Sequence, residues 1–165
     1  MSINLLPTER AAIHHEGVEC GETLADQLRY AITATLGPLN PQPDVQEVGA
    51  ICFGDVQPTA AAKKVQETFA EKARVSPIDF VNANPGASLS IVCTELQLRG
   101  PTLHFLMGGD AVRETALILA FRWTTEESAE VVVVAEITMV NGRRALDITL
   151  VRRRGHNIRE VFIYG

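Results

Sequence analysis

The sequence predicts an α/β chain: a mixed, mostly parallel sheet of about five strands, helices on both faces, and an antiparallel C-terminal meander. Three observations carry that prediction. First, residues 102–138 run as a short apolar stretch, the glycine pair Gly108 and Gly109, an apolar helical stretch and a β-branched run. Strand, tight turn, helix and strand make a βαβ crossover, which implies two parallel strands. Second, residues 48–53 are small and β-branched and end at Gly54, as a strand buried inside a parallel sheet does. Third, Asn141-Gly142 between two strand-like segments is the strongest short-range hairpin signal, and it turns the chain back antiparallel.

Residues 1–21 are the least patterned: residues 3–6 are apolar, Pro7 interrupts them, and residues 11–14 read as a short first strand. Residues 23–36 follow as a helix, with Leu24, Leu28, Ala31 and Ile32 on one face and Gly37-Pro38 as its stop. Three prolines make 38–44 a connecting loop. After the strand at 48–53, residues 59–74 form a second helix, with Ala61, Val65, Phe69 and Ala73 inward and Lys63, Lys64, Glu67 and Glu71 outward. Residues 76–83 read as loop. The next helix opens with Asn84 as N-cap and Pro85 in the first helical position, carries the stripe Leu89, Val92, Cys93 and Leu96, and closes at Gly100-Pro101. Residues 102–107 supply a strand and Gly108-Gly109-Asp110 a pivot. The helix from there to Trp123 is apolar almost all round, so it needs cover on every side. One sheet covers one flank; a second subunit, or the N-terminal segment and the meander, covers the other. Residues 130–138 return as strand, 145–151 form the far arm of the hairpin, Gly155 and Asn157 mark a turn, and 158–164 add a further strand.

At 165 residues and 46% hydrophobic, the chain suits a single domain, 1–165, with a core of its own. A net charge of −5 gives no electrostatic case for nucleic acid or an anionic membrane surface, and Arg152-Arg153-Arg154 reads as a solvated turn. No apolar run approaches the ~20 residues of a membrane-spanning helix, and the N-terminus lacks the pattern of a signal peptide. Cys20, Cys52 and Cys93, odd in number and widely spaced, argue against a disulfide framework or zinc site and fit a reducing cytoplasm.

Leu98-Arg99-Gly100-Pro101, the short strand after it, the small-residue turn opening an apolar helix, and the run from Val131 to Ile137 occur in that order, preceded by Ser76-Pro77, Phe80 and Asn84. This series resembles the N-terminal half of β-ketoacyl synthases, the condensing enzymes of fatty-acid and polyketide synthesis, which have the thiolase-like fold. The likeness covers residues 48–138. It implies a thiolase-like half-domain of βαβαβαββ order with an antiparallel last strand, in keeping with the hairpin. In the family a nucleophilic cysteine sits at the turn between strand and helix, where the helix N-terminus favours the thiolate. Counting from Gly100-Pro101 places that position at Gly109, which has no side chain to acylate. Asp110 beside it favours the helix start and opposes an anionic intermediate. The family's two histidines come from a C-terminal half without counterpart in this sequence. The resemblance therefore implies a truncated relative without condensing activity.

Two functional expectations result. The leading one is a non-catalytic ketosynthase-like protein that pairs with itself as a homodimer or with a ketosynthase as a heterodimer, with acyl carrier protein as a further partner. The family pairs its subunits through the strand before the active-site turn, so the resemblance places the dimer strand at Thr102, Leu103, His104, Phe105, Leu106 and Met107. The alternative is a small enzyme acting on carrier-bound or coenzyme-A-bound acyl chains, for example a dehydratase with His104 and Asp110 as acid and base. His104 lies on the strand leading to the pivot, with Asp110 or Cys93 expected nearby, and reads equally as a polar contact across a subunit boundary. His14, His15, His104 and His156 lack metal-ligand spacing, and neither metal nor cofactor is expected. Gly108-Gly109 can present backbone N–H groups to a carbonyl or phosphate, or simply make a tight turn. Cys52, inside a buried strand, reads as a core residue.

Overall fold

A computed structural model of the chain describes residues 13–15, 23–39, 42–54, 60–84, 86–140 and 143–152. Its elements are β1 (Ile13–His15), α1 (Leu24–Leu36), β2 (Val48–Gly54), α2 (Ala60–Lys72), α3 (Pro77–Ala83), α4 (Ala87–Glu95), β3 (Thr102–Phe105), α5 (Asp110–Thr125), β4 (Val131–Val140) and β5 (Arg143–Arg152). They build one five-stranded mixed sheet of order β1-β5-β4-β2-β3. Strands β3, β2 and β4 run parallel, while β4–β5 and β5–β1 are antiparallel. Because β4 lies on the far side of β2 from β3, helix α5 crosses over β2 to connect them.

Period-two alternation along the buried strands sorts the core into two layers. Val48, Ala50 and Cys52 of β2, with Val131, Val133 and Ile148, pack against α1 and α4 through Leu28, Ile32, Leu89 and Val92. Ile51 and Phe53, with Val132, Val134 and Val151, pack against Ala116 and Ala120 of α5. Helices thus cover both faces, and β2 and the first half of β4 are buried throughout, as their unbroken apolar sequences require.

Helix α1 forms where its pattern places it. The Thr23 hydroxyl accepts the Asp26 N–H at 3.1 Å and the Asp26 carboxylate accepts the Thr23 N–H at 3.2 Å, a reciprocal cap that satisfies two otherwise orphaned donors. Elsewhere the sequence-based expectations need correction. Residues 76–83 are helix α3 and not loop: Ser76 takes the N-cap position, Pro77 starts the helix where it loses no bond, and the helix packs chiefly on α2. The second helix does not turn Phe69 and Ala73 inward. Phe69 is 61% exposed, and Ala73 lies beyond the end of α2 with φ of 53°. Asn84 does not cap α4; its Oδ1 accepts the Gly86 N–H at 2.9 Å in a turn, and the helix starts at Ala87. Nor does α4 last until Gly100. Gln97, at φ 57°, closes it, with the Leu98 N–H donating to the Cys93 carbonyl and the Gln97 N–H to that of Thr94, a Schellman arrangement with glutamine in place of the usual glycine. Gly100 serves a close approach instead. A Cβ there would sit 2.5 Å from the Val48 carbonyl oxygen, so only glycine lets this loop lie against the start of β2. The strand expected over 102–107 stops at Phe105, leaving Leu106 and Met107 beyond it and exposed. Val140 pairs with Arg143, the register of a two-residue hairpin, while the turn residues Asn141 and Gly142 lie outside the described residues. So do Pro85, Cys20, His156 and the further strand expected at 158–164.

Candidate functional site

Parallel strands gather polar and chain-turning groups at their C-terminal ends, and here that end holds the pivot. The Gly54 N–H at the end of β2 donates to the Met107 carbonyl at 3.1 Å, tying the pivot to the sheet. Gly109 is the N-cap of α5, and its carbonyl accepts from Val112 and Arg113. Its backbone, at φ 106° and ψ 165°, is one that side chains rarely tolerate, yet a Cβ built there meets no atom within 4 Å. The position opens onto free space and offers no reacting group.

Asp110, with 98% of its side chain exposed, pairs with Arg113 at 3.2 Å. Arg113 in turn grips Glu136 of β4 with two bonds, Nε to Oε2 at 2.8 Å and Nη2 to Oε1 at 2.7 Å. This forked pair fastens the first turn of α5 to the sheet and raises the Arg113 pKa further. Sequence reasoning did not single out Arg113 and Glu136. The available signal was Glu136 itself, a lone carboxylate in an apolar run that calls for a cation beside it.

His104 pairs in register with Cys52, so its side chain shares the face of β2 that meets α1 and α4. Leu103 and Phe105 point to the other face, against the cluster under α5. Both ring nitrogens of His104 are shielded from solvent and have no hydrogen-bond partner among the described residues. Its Nδ1 lies near the start of α4, within 3.9 Å of where a Cβ on Gly86 would be. Burial lowers the His104 pKa, which keeps the ring neutral. The structure does not join His104 to Asp110: the imidazole bonds to neither Asp110 nor Cys93, and the Asp110 carboxylate is held by Arg113. Cys52 and Cys93 are both buried, and burial pushes their thiols up to about 12 and about 11, so both stay protonated and unreactive.

Strand β3 forms one edge of the sheet among the described residues. The Ala50 N–H donates to the Pro101 carbonyl at 3.0 Å. In a parallel ladder alternate residues face the neighbouring strand, so Leu103 and Phe105 direct their N–H and C=O groups to β2. Thr102 and His104 direct theirs to the open edge. Of the expected pairing residues, these two carry the outward backbone groups; Leu103 and Phe105 carry the inward ones. No helix among the described residues is long and apolar enough to cross a membrane.

No family model matches the chain, and no curated protein matches it in sequence. Several solved structures match its fold. One is the ishigamide ketosynthase/chain length factor, at 14% identity and a TM-score of 0.51, covering 66% of this chain and 36% of that one. A second is the ketosynthase ApeO in complex with its chain length factor ApeC from Xenorhabdus doucetiae, at 13% identity and 0.50, covering 82% and 63%. A third is a type II polyketide synthase acyl-carrier protein in complex with its ketosynthase bound to the hexaketide, at 11% identity and 0.54, covering 76% and 45%. The chain spans roughly one to two thirds of the length of these proteins, and at such identities the likeness is one of fold. A mixed sheet with helices on both faces, a parallel core and an antiparallel C-terminal pair is therefore the fold that this chain shares with those ketosynthase and chain length factor structures.

Proposed function

We propose that this chain is a non-condensing, ketosynthase-like subunit of polyketide or fatty-acid biosynthesis that works by association, pairing through β3 with itself or with a condensing-enzyme partner. One observation supports this above the others. At the turn into α5, where a nucleophile would act, stands Gly109, and among the described residues the strand leading to it ends the sheet with its outward hydrogen-bonding groups facing no other strand. An uncharged edge strand without proline is a template for another strand. One of the similar structures holds an acyl-carrier protein with its ketosynthase, and a carrier protein is the further partner proposed for this chain.

Sedimentation of the pure protein, alone and mixed with a ketosynthase, tests this directly. Thr102→Pro removes an outward N–H while leaving the bonds to β2 in place, so it should weaken association at least tenfold with unchanged circular dichroism. Leu103→Pro would instead break an inward bond and damage the fold. A protein that stays monomeric in both experiments, or a thioester intermediate trapped on it, rules the reading out.

The unpaired ring of His104 favours a second reading, a small enzyme on carrier-bound or coenzyme-A-bound acyl chains such as a dehydratase, with His104 and Asp110 as acid and base. It requires the two groups to be brought together by substrate. An activity on such thioesters that disappears in both His104→Ala and Asp110→Asn would support it.

A further inference from the structure

We infer that association through β3 is acid-sensitive, with His104 as the sensor: on taking up a proton its ring leaves the shelter of the turn at Asn84 and Gly86 and comes out at the edge that a partner strand needs. This rests on the association proposed above and names its regulation.

The ring is poorly provided for where it stands. Both of its nitrogens are shielded from solvent, and among the described residues neither has a hydrogen-bond partner. A neutral ring leaves one donor and one acceptor unmet; a protonated ring leaves two donors and a charge. Among the described residues no counter-charge is at hand to hold that charge in place. Strands β2 and β3 carry no charged residue, and the group opposite His104 on β2 is the Cys52 thiol, which stays protonated. On α4 the titratable side chain in the same core layer is the Cys93 thiol, also protonated, while Glu95 is exposed and pairs with Arg29 at 3.2 Å. Asp79 of α3 is exposed to water. In the turn beside the ring, the Asn84 Oδ1 already accepts the Gly86 N–H. Burial therefore acts on the ring unopposed, and it acts against the charged form.

Position ties that ring to association. The N–H and C=O of His104 face the open edge, while its side chain lies on the face of the sheet that meets α1 and α4. Strand β2 bounds the ring on one side, and the turn lies against it, with Nδ1 3.9 Å from where a Cβ on Gly86 would stand. Among the described residues the side left uncovered is the edge of the sheet. A charged ring reaching water there lies across the outward backbone groups of Thr102 and His104, which a partner strand then cannot approach. Putting the ring back requires losing the charge, so in acid each chain gives up one proton in order to pair. Pairing is fullest above pH 6.5, the ordinary histidine value, and weakens as pH falls below it.

Sedimentation of the native protein and of His104→Phe, each alone and mixed with a ketosynthase, tests this from about pH 7.5 to about pH 5. The native association should weaken about tenfold or more between those limits with unchanged circular dichroism. That of His104→Phe, whose ring takes no proton, should change by less than about threefold. His104→Gln, also unable to take a proton in this range, serves where the larger ring disturbs the strand. A native association that holds across the range, one that weakens equally in the variants, or one lost only together with the folded circular dichroism overturns the sensor and leaves association standing. A protein that is monomeric at every pH, alone and mixed, overturns the association as well.

Discussion

Gly109 is the residue on which the sequence and the structure say most together. Its place is legible because glycine at the mouth of an apolar helix stands out, but its backbone conformation is not. Residues with φ near 106° occur almost only as glycine, so Gly109→Ala should cost about 1–3 kcal/mol even though a methyl group there touches nothing. Urea unfolding of the variant against the native chain measures this, and an unchanged midpoint would show that the turn relaxes freely. His104 offers a second test at this scale. Its folded pKa lies below the ordinary 6.5, so between those two values the unfolded chain binds a proton that the folded chain does not. Stability is then full above pH 6.5 and falls as pH drops through that window. Melting temperatures taken from about pH 7.5 to about pH 5 should decline more steeply for the native protein than for His104→Phe, and parallel curves would refute the assignment. The ionic link of Arg113 to Glu136 escapes the sequence because its partners are 23 residues apart and only the crossover brings them together.

Among the elements, those held by the sheet are readable, while of the two helices held by each other α2 is readable as a helix but not in its packing face, and α3 is not readable at all. Helix α1 and strand β2 bury regular faces, and periodicity finds such faces. Helix α3 has seven residues, and Ile78, Phe80 and Val81 are all exposed on it, so no stripe announces it. The same cause hides the packing of α2, whose periodicity points Phe69 toward a core that this helix does not reach; α2 packs chiefly on α3. Phe69 at 61% and Phe80 at 67% exposure have little burial to lose. Replacing either by serine should therefore change stability by no more than about 0.5 kcal/mol, against about 3–5 kcal/mol expected for Phe53→Ala, whose ring is fully buried near the end of β2. Denaturant titrations of the three variants decide it. A large loss at Phe69 or Phe80 would mean that those rings are covered in the folded protein.

At the scale of the whole molecule, sequence patterns supply the five strands found among the described residues, the crossover and the final hairpin. They cannot supply the order of the strands, because nothing in an apolar run states which neighbour it will have. The observed order leaves β3 as an edge among the described residues and leaves Ile118 and Phe121 of α5 exposed on the flank away from the sheet. If two copies close that edge, folding and pairing are linked, and the native state gains stability with protein concentration. Each tenfold rise should add about 1.4 kcal/mol per dimer, or about 0.7 kcal/mol per chain. For a chain of this size that corresponds to a rise of about 2 °C in melting temperature per decade of concentration. Thr102→Pro should abolish the slope while keeping the melting temperature that the native chain shows at its most dilute. A melting temperature independent of concentration across the range in which the native protein sediments as a dimer would mean that the joint lies between already finished chains and contributes nothing to holding them folded.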